Sequence, residues 1–111
     1  MDSKQLLAFA IDKIEDMKAR DVIHIDVTAT SDITDYMVVC SGTSKRHVLS
    51  IADNLAKEAR HAGEEPLGYE GQSDGEWALV DLGDVVVHVM QNEARSYYDL
   101  EKGLVINTHL F

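Results

Sequence analysis

The sequence predicts an α/β fold in which a mixed five-stranded sheet is flanked by three helices. Stretches with apolar residues at helical spacing alternate with short stretches rich in β-branched residues, as expected for helices that cover a sheet. The longest β-branched stretch, Glu76–Met90, is interrupted at Asp81–Asp84 by turn-forming residues, which predicts two strands folded back on each other. The chain has 111 residues and no internal repeat, so we expect one domain over residues 1–111.

The first part of the chain predicts a helix over Lys4–Ala19 and a strand over Val22–Val27. Apolar residues recur at helical spacing in the first segment, with charged residues between them. Asp2 or Ser3 could cap the start of this helix with a side-chain oxygen. In the second segment, side chains alternate between an apolar face and a more polar one, as they do in a strand.

The middle of the chain predicts a polar connection, a strand and a second helix. Thr28–Asp35 is rich in Ser, Thr and Asp, which favour turns because their side chains bond to the nearby backbone. Tyr36–Cys40 is the strand. The helix begins after Gly42–Ser44 and continues to about Ala62, where Gly63 is placed to cap its C-terminus.

Glu76–Met90 predicts the central hairpin, preceded by a short strand near Leu67–Glu70. Gly83 permits the backbone angles that a tight turn needs. In the first strand of the hairpin, Trp77 and Asp81 share one face because side chains alternate along a strand. Neither strand has a wholly polar face, so the sheet is either covered on both sides or open on one side to a partner.

The C-terminal part predicts the third helix. Asn92 can cap a helix over Glu93–Lys102, and Gly103 would end it. The tail 104–111 is apolar and follows no helical pattern.

The composition excludes several classes of protein, and the charge taken alone indicates solubility more strongly than a specific partner. The net charge of −10 argues against binding of DNA or another phosphate backbone and favours encounter with basic partners, although acidity alone can serve solubility. No apolar run approaches the roughly 20 residues that span a membrane. The N-terminus carries no signal-peptide pattern, and the single cysteine, Cys40, predicts a buried thiol in a reducing compartment. We therefore expect a cytoplasmic protein.

The junction Gly42, Thr43 and Ser44 is a candidate anion site. It follows a strand and opens a helix, so it offers backbone N–H groups and the positive end of the helix dipole. No Walker pattern follows it. A strand-to-helix turn with a Thr or Ser cap needs the same residues for structure alone, and we favour that interpretation.

No pattern in the sequence predicts an enzyme, a metal site or a cofactor. The five histidines are dispersed and form no zinc-binding spacing. Asp81 and Asp84 flank a turn and do not form the strand-borne carboxylate pair that holds two metals in nucleotidyltransferases.

Trp77 is the residue that best indicates a binding surface. It shares a face with Asp81 near a turn, and aromatic side chains beside charged groups are typical of protein interfaces. Tyr97 and Tyr98, next to Arg95, could extend such a surface or could pack the last helix against the fold. Filling of the core is an equally good interpretation of Trp77 from the sequence alone.

Linked segments between Leu6 and Glu101 carry a family resemblance. They are, in chain order, 16–22, 31–36, 42–48, 70–71, 76–77, 81–88, and the residues Arg95, Tyr98, Leu100 and Glu101. Together and in this order they are highly specific, and they resemble the ribosomal silencing factor family, also called Iojap-like proteins.

The resemblance implies a nucleotidyltransferase-like fold without the catalytic carboxylates, and a function without catalysis or cofactor. It implies a translation repressor that binds the fourteenth protein of the large ribosomal subunit and sterically blocks joining of the small subunit when nutrients are short. We expect Trp77 and Asp81 at the contact, with Asp84 and Tyr98 as neighbours.

The tail 103–111 departs from the family pattern, which usually continues after Leu-Glu with a Leu-Trp pair. Two other functions stay open at this point. The chain could be a residual nucleotide-binding protein that uses Gly42, Thr43 and Ser44, or a homodimeric adaptor whose bare sheet face pairs with itself.

Overall fold

The computed structural model describes residues 1–71 and 76–91. Its elements are, in chain order, α1 (Ser3–Asp16), β1 (Arg20–Asp26), β2 (Tyr36–Gly42), α2 (Lys45–His61), β3 (Gly68–Gly71), β4 (Trp77–Asp81) and β5 (Val85–Gln91). These elements confirm the predicted order, with boundaries that differ from the expected ones by at most three residues. The described residues contain two of the three predicted helices; the helix expected over Glu93–Lys102 and the tail 104–111 lie outside them.

The five strands form one mixed sheet, as predicted, in the order β1-β2-β5-β4-β3. The central strands β2 and β5 run parallel, with Tyr36 opposite Val85 and Gly42 opposite Gln91. All other neighbours are antiparallel. The strands β1 and β3 therefore form the two edges of the sheet.

The two edges differ in regularity. Between Arg20 and Ile23 the pairing of β1 with β2 shifts, and Asp21 there has a φ of 50°, so this edge carries a bulge that bends it. The strand β3 pairs with β4 without a shift, from Gly68 opposite Asp81 to Gly71 opposite Ala78.

Local capping sets the ends of both helices. Asp2 Oδ1 accepts a 2.8 Å hydrogen bond from the Gln5 N–H, and Gln5 Oε1 accepts one from the Asp2 N–H at 3.0 Å, which is a capping box. The helix α1 ends before Ala19, where it was expected to end, because Lys18 has a left-handed backbone with φ 65°. Gly63, at φ 83°, follows the end of α2 in the position predicted for a C-terminal cap.

The main core lies between the helices and one face of the sheet. Its fully buried members are Ala10 and Ile14 of α1, Val48, Ile51, Ala52, Leu55, Ala56 and Ala59 of α2, and Val38, Cys40, Val80, Val85, Val87 and Val89 of the sheet. Because α1 and α2 both pack on this face, their apolar stripes are core, as their spacing predicted.

The opposite face of the sheet holds a second cluster of Val27, Met37, Val39 and Met90. No residue of α1 or α2 belongs to this cluster. Its four members are nonetheless at most 2% exposed, so the centre of this face is covered, while Trp77 at its border is half-buried. The sequence left open whether this face is covered or open, and the structure shows a covered centre with a partly exposed border.

Candidate functional site

The β4–β5 hairpin places Trp77 and Asp81 on the face of the sheet that turns away from the helices. Trp77 pairs with Met90 and Asp81 pairs with Val86. Both side chains are half-buried, whereas Ala78 between them is buried on the helix side. The alternation predicted for this strand is therefore confirmed. The two residues are four positions apart, so they stand about 13 Å apart along β4.

One edge of the Trp77 ring is fixed to the core by a hydrogen bond. The indole N–H donates to His88 Nδ1 at 3.1 Å, and the two ring centroids lie 5.6 Å apart at an angle of 45°. His88 is fully buried, and this burial lowers the pKa of its imidazole from 6.5 to about 4. The neutral imidazole therefore accepts the indole proton, and its own proton lies on the other ring nitrogen.

The geometry of Trp77 is compatible with both roles that the sequence left open for it. Its N–H side is held against the second cluster, while part of its surface stays accessible. A rigid aromatic ring that loses little freedom on binding is a suitable interface anchor. The sequence could not predict the partner His88, because the pairing of residues eleven apart depends on the hairpin register.

The turn between β4 and β5 uses Asp81 and exposes Asp84. The Gly83 N–H donates to Asp81 Oδ1 at 2.8 Å, so the Asp81 carboxylate holds the turn. Gly83 has a φ of 90°, which favours glycine. The carbonyl of Asp84 accepts from the N–H groups of Asp35 and Tyr36 at 2.9 and 3.0 Å, which ties the turn to the start of β2. The side chain of Asp84 is exposed and available to a partner.

Two exposed apolar side chains were not predicted from the sequence: Leu67, beside this turn, and Ile33, just before the segment that is bonded to it. Leu67, at 76% exposure, donates its N–H to the carbonyl of Asp81 at 2.8 Å. Ile33, at 61% exposure, lies two residues before Asp35. Their exposure has no signal in the sequence, because a single apolar residue in a loop is part of no periodic pattern.

The junction Gly42, Thr43 and Ser44 uses its hydrogen-bonding groups within the chain. The Thr43 N–H donates to His47 Nδ1 at 2.9 Å, and Ser44 Oγ accepts from the His47 N–H at 3.0 Å. His47 Nε2 lies 2.8 Å from the carbonyl of Met17, so the ring joins the end of α1 to the start of α2. This geometry favours the capping interpretation, and binding of an anion there stays a prediction.

The candidate site thus lies on one hairpin, with Asp81 and Asp84 at its turn and Trp77 at the other end of β4. Tyr98, the fourth residue expected there, lies outside the described residues. Within 1–71 and 76–91, no group of three His, Cys, Asp or Glu side chains is arranged to hold a metal ion. Neither described helix is long and apolar enough to cross a membrane.

Comparisons with known proteins identify the family that this chain matches. The family profile described as "Ribosomal silencing factor during starvation" matches residues 1–102. The chain is 45% identical to the ribosomal silencing factor of Haemophilus influenzae, over 87% of this chain and 95% of that protein. It is 38% identical to a mouse protein named mitochondrial assembly of ribosomal large subunit protein 1, over 76% of this chain and 38% of that protein.

The fold is similar to that of a solved bacterial structure. A crystal structure of a Chromobacterium violaceum protein superposes with a TM-score of 0.89 at 39% sequence identity. The match covers 92% of this chain and 85% of that one.

Proposed function

This chain belongs to the ribosomal silencing factor family, and from that membership we propose that it represses translation by blocking the joining of the ribosomal subunits. The family consists of ribosome-associated regulators of translation, described as acting during starvation. The match over residues 1–102 is the observation that carries the proposal. We further propose that residues 1–111 form a single domain with an atypical tail at 103–111 and a nucleotidyltransferase-like fold. In this proposal the protein acts in the cytoplasm and without catalysis.

The proposed partner is the large ribosomal subunit, bound through its fourteenth protein. The name of the mouse relative refers to assembly of a large ribosomal subunit, which supports this subunit as the partner. The net charge of −10 suits a basic ribosomal protein, because opposite fields accelerate association. The same negative charge disfavours direct binding to ribosomal RNA.

The proposed contact surface consists of Trp77, Asp81, Asp84 and Tyr98. The partly exposed ring of Trp77, fixed by His88, supplies the apolar anchor, and the exposed carboxylate of Asp84 supplies charge. Salt screens exposed charges beyond about 8 Å, so the charges guide the encounter while the packed ring holds the complex. A bound factor then stands where the small subunit would dock, and repression is steric.

Sedimentation of purified subunits tests this function. Large and small subunits are mixed with and without the protein and separated on a gradient. We expect the protein to travel with large subunits and the joined particle to be suppressed. If joining is unaffected and the protein stays at the top of the gradient, the proposed function is wrong.

The variant Trp77→Ala tests the contact surface. We expect it to keep its fold and to lose about 2 kcal/mol or more of ribosome binding, roughly 30-fold, as for an aromatic hot spot. Phe9→Ala is the matched control, because Phe9 is a half-buried aromatic residue on α1, away from the proposed surface. If Trp77→Ala unfolds the protein, Trp77 belongs to the core and the proposed surface loses its anchor.

Pairing of two copies through the same face is the alternative function. The partly buried Ile23, Ile25 and Trp77 border the second cluster, and such a border could pair with itself. A homodimer of this kind would hide Trp77, so ultracentrifugation should show Trp77→Ala to be monomeric at concentrations where the parent chain is dimeric.

A further inference from the structure

A groove lies between α2 and the edge strand β3, on the helix side of the sheet. It is lined by Arg46, Leu49, Ser50, Asp53 and Tyr69, and its volume is about 580 Å³. Leu49 and Tyr69 pack against the main core, so the floor of the groove is apolar and fixed. Trp77 belongs to the opposite face of the sheet, and the groove is therefore separate from the proposed ribosomal contact.

One wall of the groove is a strand edge that can accept another strand. The strand β3 ends the sheet, and no described strand pairs with its outer side. The other edge, β1, is bent by the bulge at Asp21, and bulges are a usual device against strand addition. Because β3 is regular from Gly68 to Gly71, its outer backbone groups are the ones suited to pair with an extended peptide.

Opposite charges bracket the groove. Arg46 and Asp53 both line it and are seven residues apart on α2, which is two turns or about 10 Å. Both side chains are exposed, and neither makes a hydrogen bond or ion pair within the described residues. The pKa of Tyr69 is raised, first by burial and then by the negative charge of Asp53, so its hydroxyl keeps its proton and can donate.

We propose that this groove binds an extended peptide segment of a partner protein, which adds a strand to the outer edge of β3. Residues i, i+2 and i+4 of a strand project to the same side, and the outer two stand about 13 Å apart. The fitting sequence therefore carries an acidic residue for Arg46, an apolar residue above Leu49 and Tyr69, and a basic residue for Asp53. The outer peptide residues are thus about 13 Å apart, whereas Arg46 and Asp53 are about 10 Å apart. The long side chains of Arg46 and of the basic peptide residue can span this difference.

The test uses the full chain labelled with ¹⁵N and titrated with the synthetic peptide acetyl-Glu-Thr-Val-Thr-Lys-amide. Saturable chemical-shift changes are expected in 68–71 and 46–53. A second peptide, N-methylated at Val and at both Thr residues, keeps every side chain and should bind at least about tenfold more weakly, because it lacks the N–H donors that pair with a strand edge. Equal binding of the two peptides would show that the side chains alone are captured, which overturns strand addition.

The variant Arg46→Glu changes the charge preference. In this variant a carboxylate stands at each end of the groove. It should therefore bind acetyl-Lys-Thr-Val-Thr-Lys-amide more tightly than the first peptide, whereas the parent chain should bind the first peptide more tightly. Lys45→Glu makes the same charge change one residue earlier, at an exposed position outside the groove lining. This control should still bind the first peptide more tightly, as the parent chain does. Thermal unfolding verifies that both variants are folded.

The proposal would likewise be overturned by an absence of shift changes at millimolar peptide, by changes spread over both faces of the sheet, or by an unchanged preference in Arg46→Glu. The proposal is independent of ribosome binding, because Trp77→Ala should bind the first peptide as the parent chain does. Loss of peptide binding in that variant would place the peptide on the Trp77 face and would also overturn it.

Discussion

Acid should destabilise this protein through His88. The imidazole is fully buried and accepts the Trp77 indole proton at 3.1 Å, and burial lowers its pKa from 6.5 to about 4. In the unfolded chain the ring takes up a proton near pH 6.5, whereas in the folded chain it does so only near pH 4. Between these pH values the unfolded state binds more protons than the folded state. The contribution of neutral His88 to the free energy of unfolding is therefore complete above about pH 6.5 and is lost as the pH falls toward 4.

The size of the effect follows from the separation of the two pKa values. At 1.36 kcal/mol for each pH unit, the range from 6.5 to about 4 corresponds to about 3 kcal/mol of unfolding free energy. Lowering the pH from 7 to 5 should remove about 2 kcal/mol of it. That is a large part of the stability of a domain of this size, which is typically about 5–15 kcal/mol.

Urea unfolding at pH 7 and pH 5 measures this loss. The chain has a single Trp, and its contact with His88 makes Trp77 fluorescence a direct probe. His88→Leu removes the titrating group and leaves every carboxylate of the chain in place. The parent chain should therefore lose about 2 kcal/mol more than the variant between the two pH values.

A matched control and a second variant keep this prediction testable. His24→Gln removes an exposed histidine of β1, and it should keep the full pH dependence. If His88→Leu does not fold, His88→Gln serves in its place, because it keeps a polar side chain that can accept from the indole. Equal pH dependence in the parent chain and a folded His88 variant would refute the assignment.

Three further predictions concern stability and are read from the same unfolding curves. Gly42→Ala should cost about 1–3 kcal/mol, because its Cβ would lie 2.8 Å from Val48 Cγ2 and 3.0 Å from the Val48 backbone nitrogen; a loss below about 0.5 kcal/mol would contradict this close packing. Asp2→Ala removes the side-chain acceptor of the capping box and should cost about 1 kcal/mol, while Asp2→Asn should restore most of it. Leu55→Ala leaves a cavity in the fully buried core and should cost about 2–5 kcal/mol, whereas the exposed Leu67 should tolerate the same change.

The sequence predicted the elements of the fold because each has a local signal. The β-branched residues of Val85–Met90, the turn at Gly83 and the capping residues Asp2 and Ser44 act within a few positions along the chain. The order of the strands has no such signal. It depends on the pairing of β2 with β5, which joins residues nearly fifty positions apart.

For the candidate site, the sequence predicted how side chains alternate along β4 but not the contacts that hold them in place. The alternation along β4 placed Trp77 and Asp81 on one face, and the structure confirms it. The bond from Trp77 to His88, the tie from Asp84 to Asp35 and the exposure of Leu67 all depend on contacts between separate segments. Periodicity carries no information on such contacts.

The central position of β5 has a consequence for how the chain folds. In the sheet order β1-β2-β5-β4-β3, the described strand that is synthesised last stands in the middle. Before residue 91 is made, β1 with β2 and β3 with β4 are two separate hairpins, and a two-stranded hairpin is at best marginally stable in water. The sheet should therefore assemble in one cooperative step when β5 inserts between them, and a chain that ends before Val85 should stay unfolded.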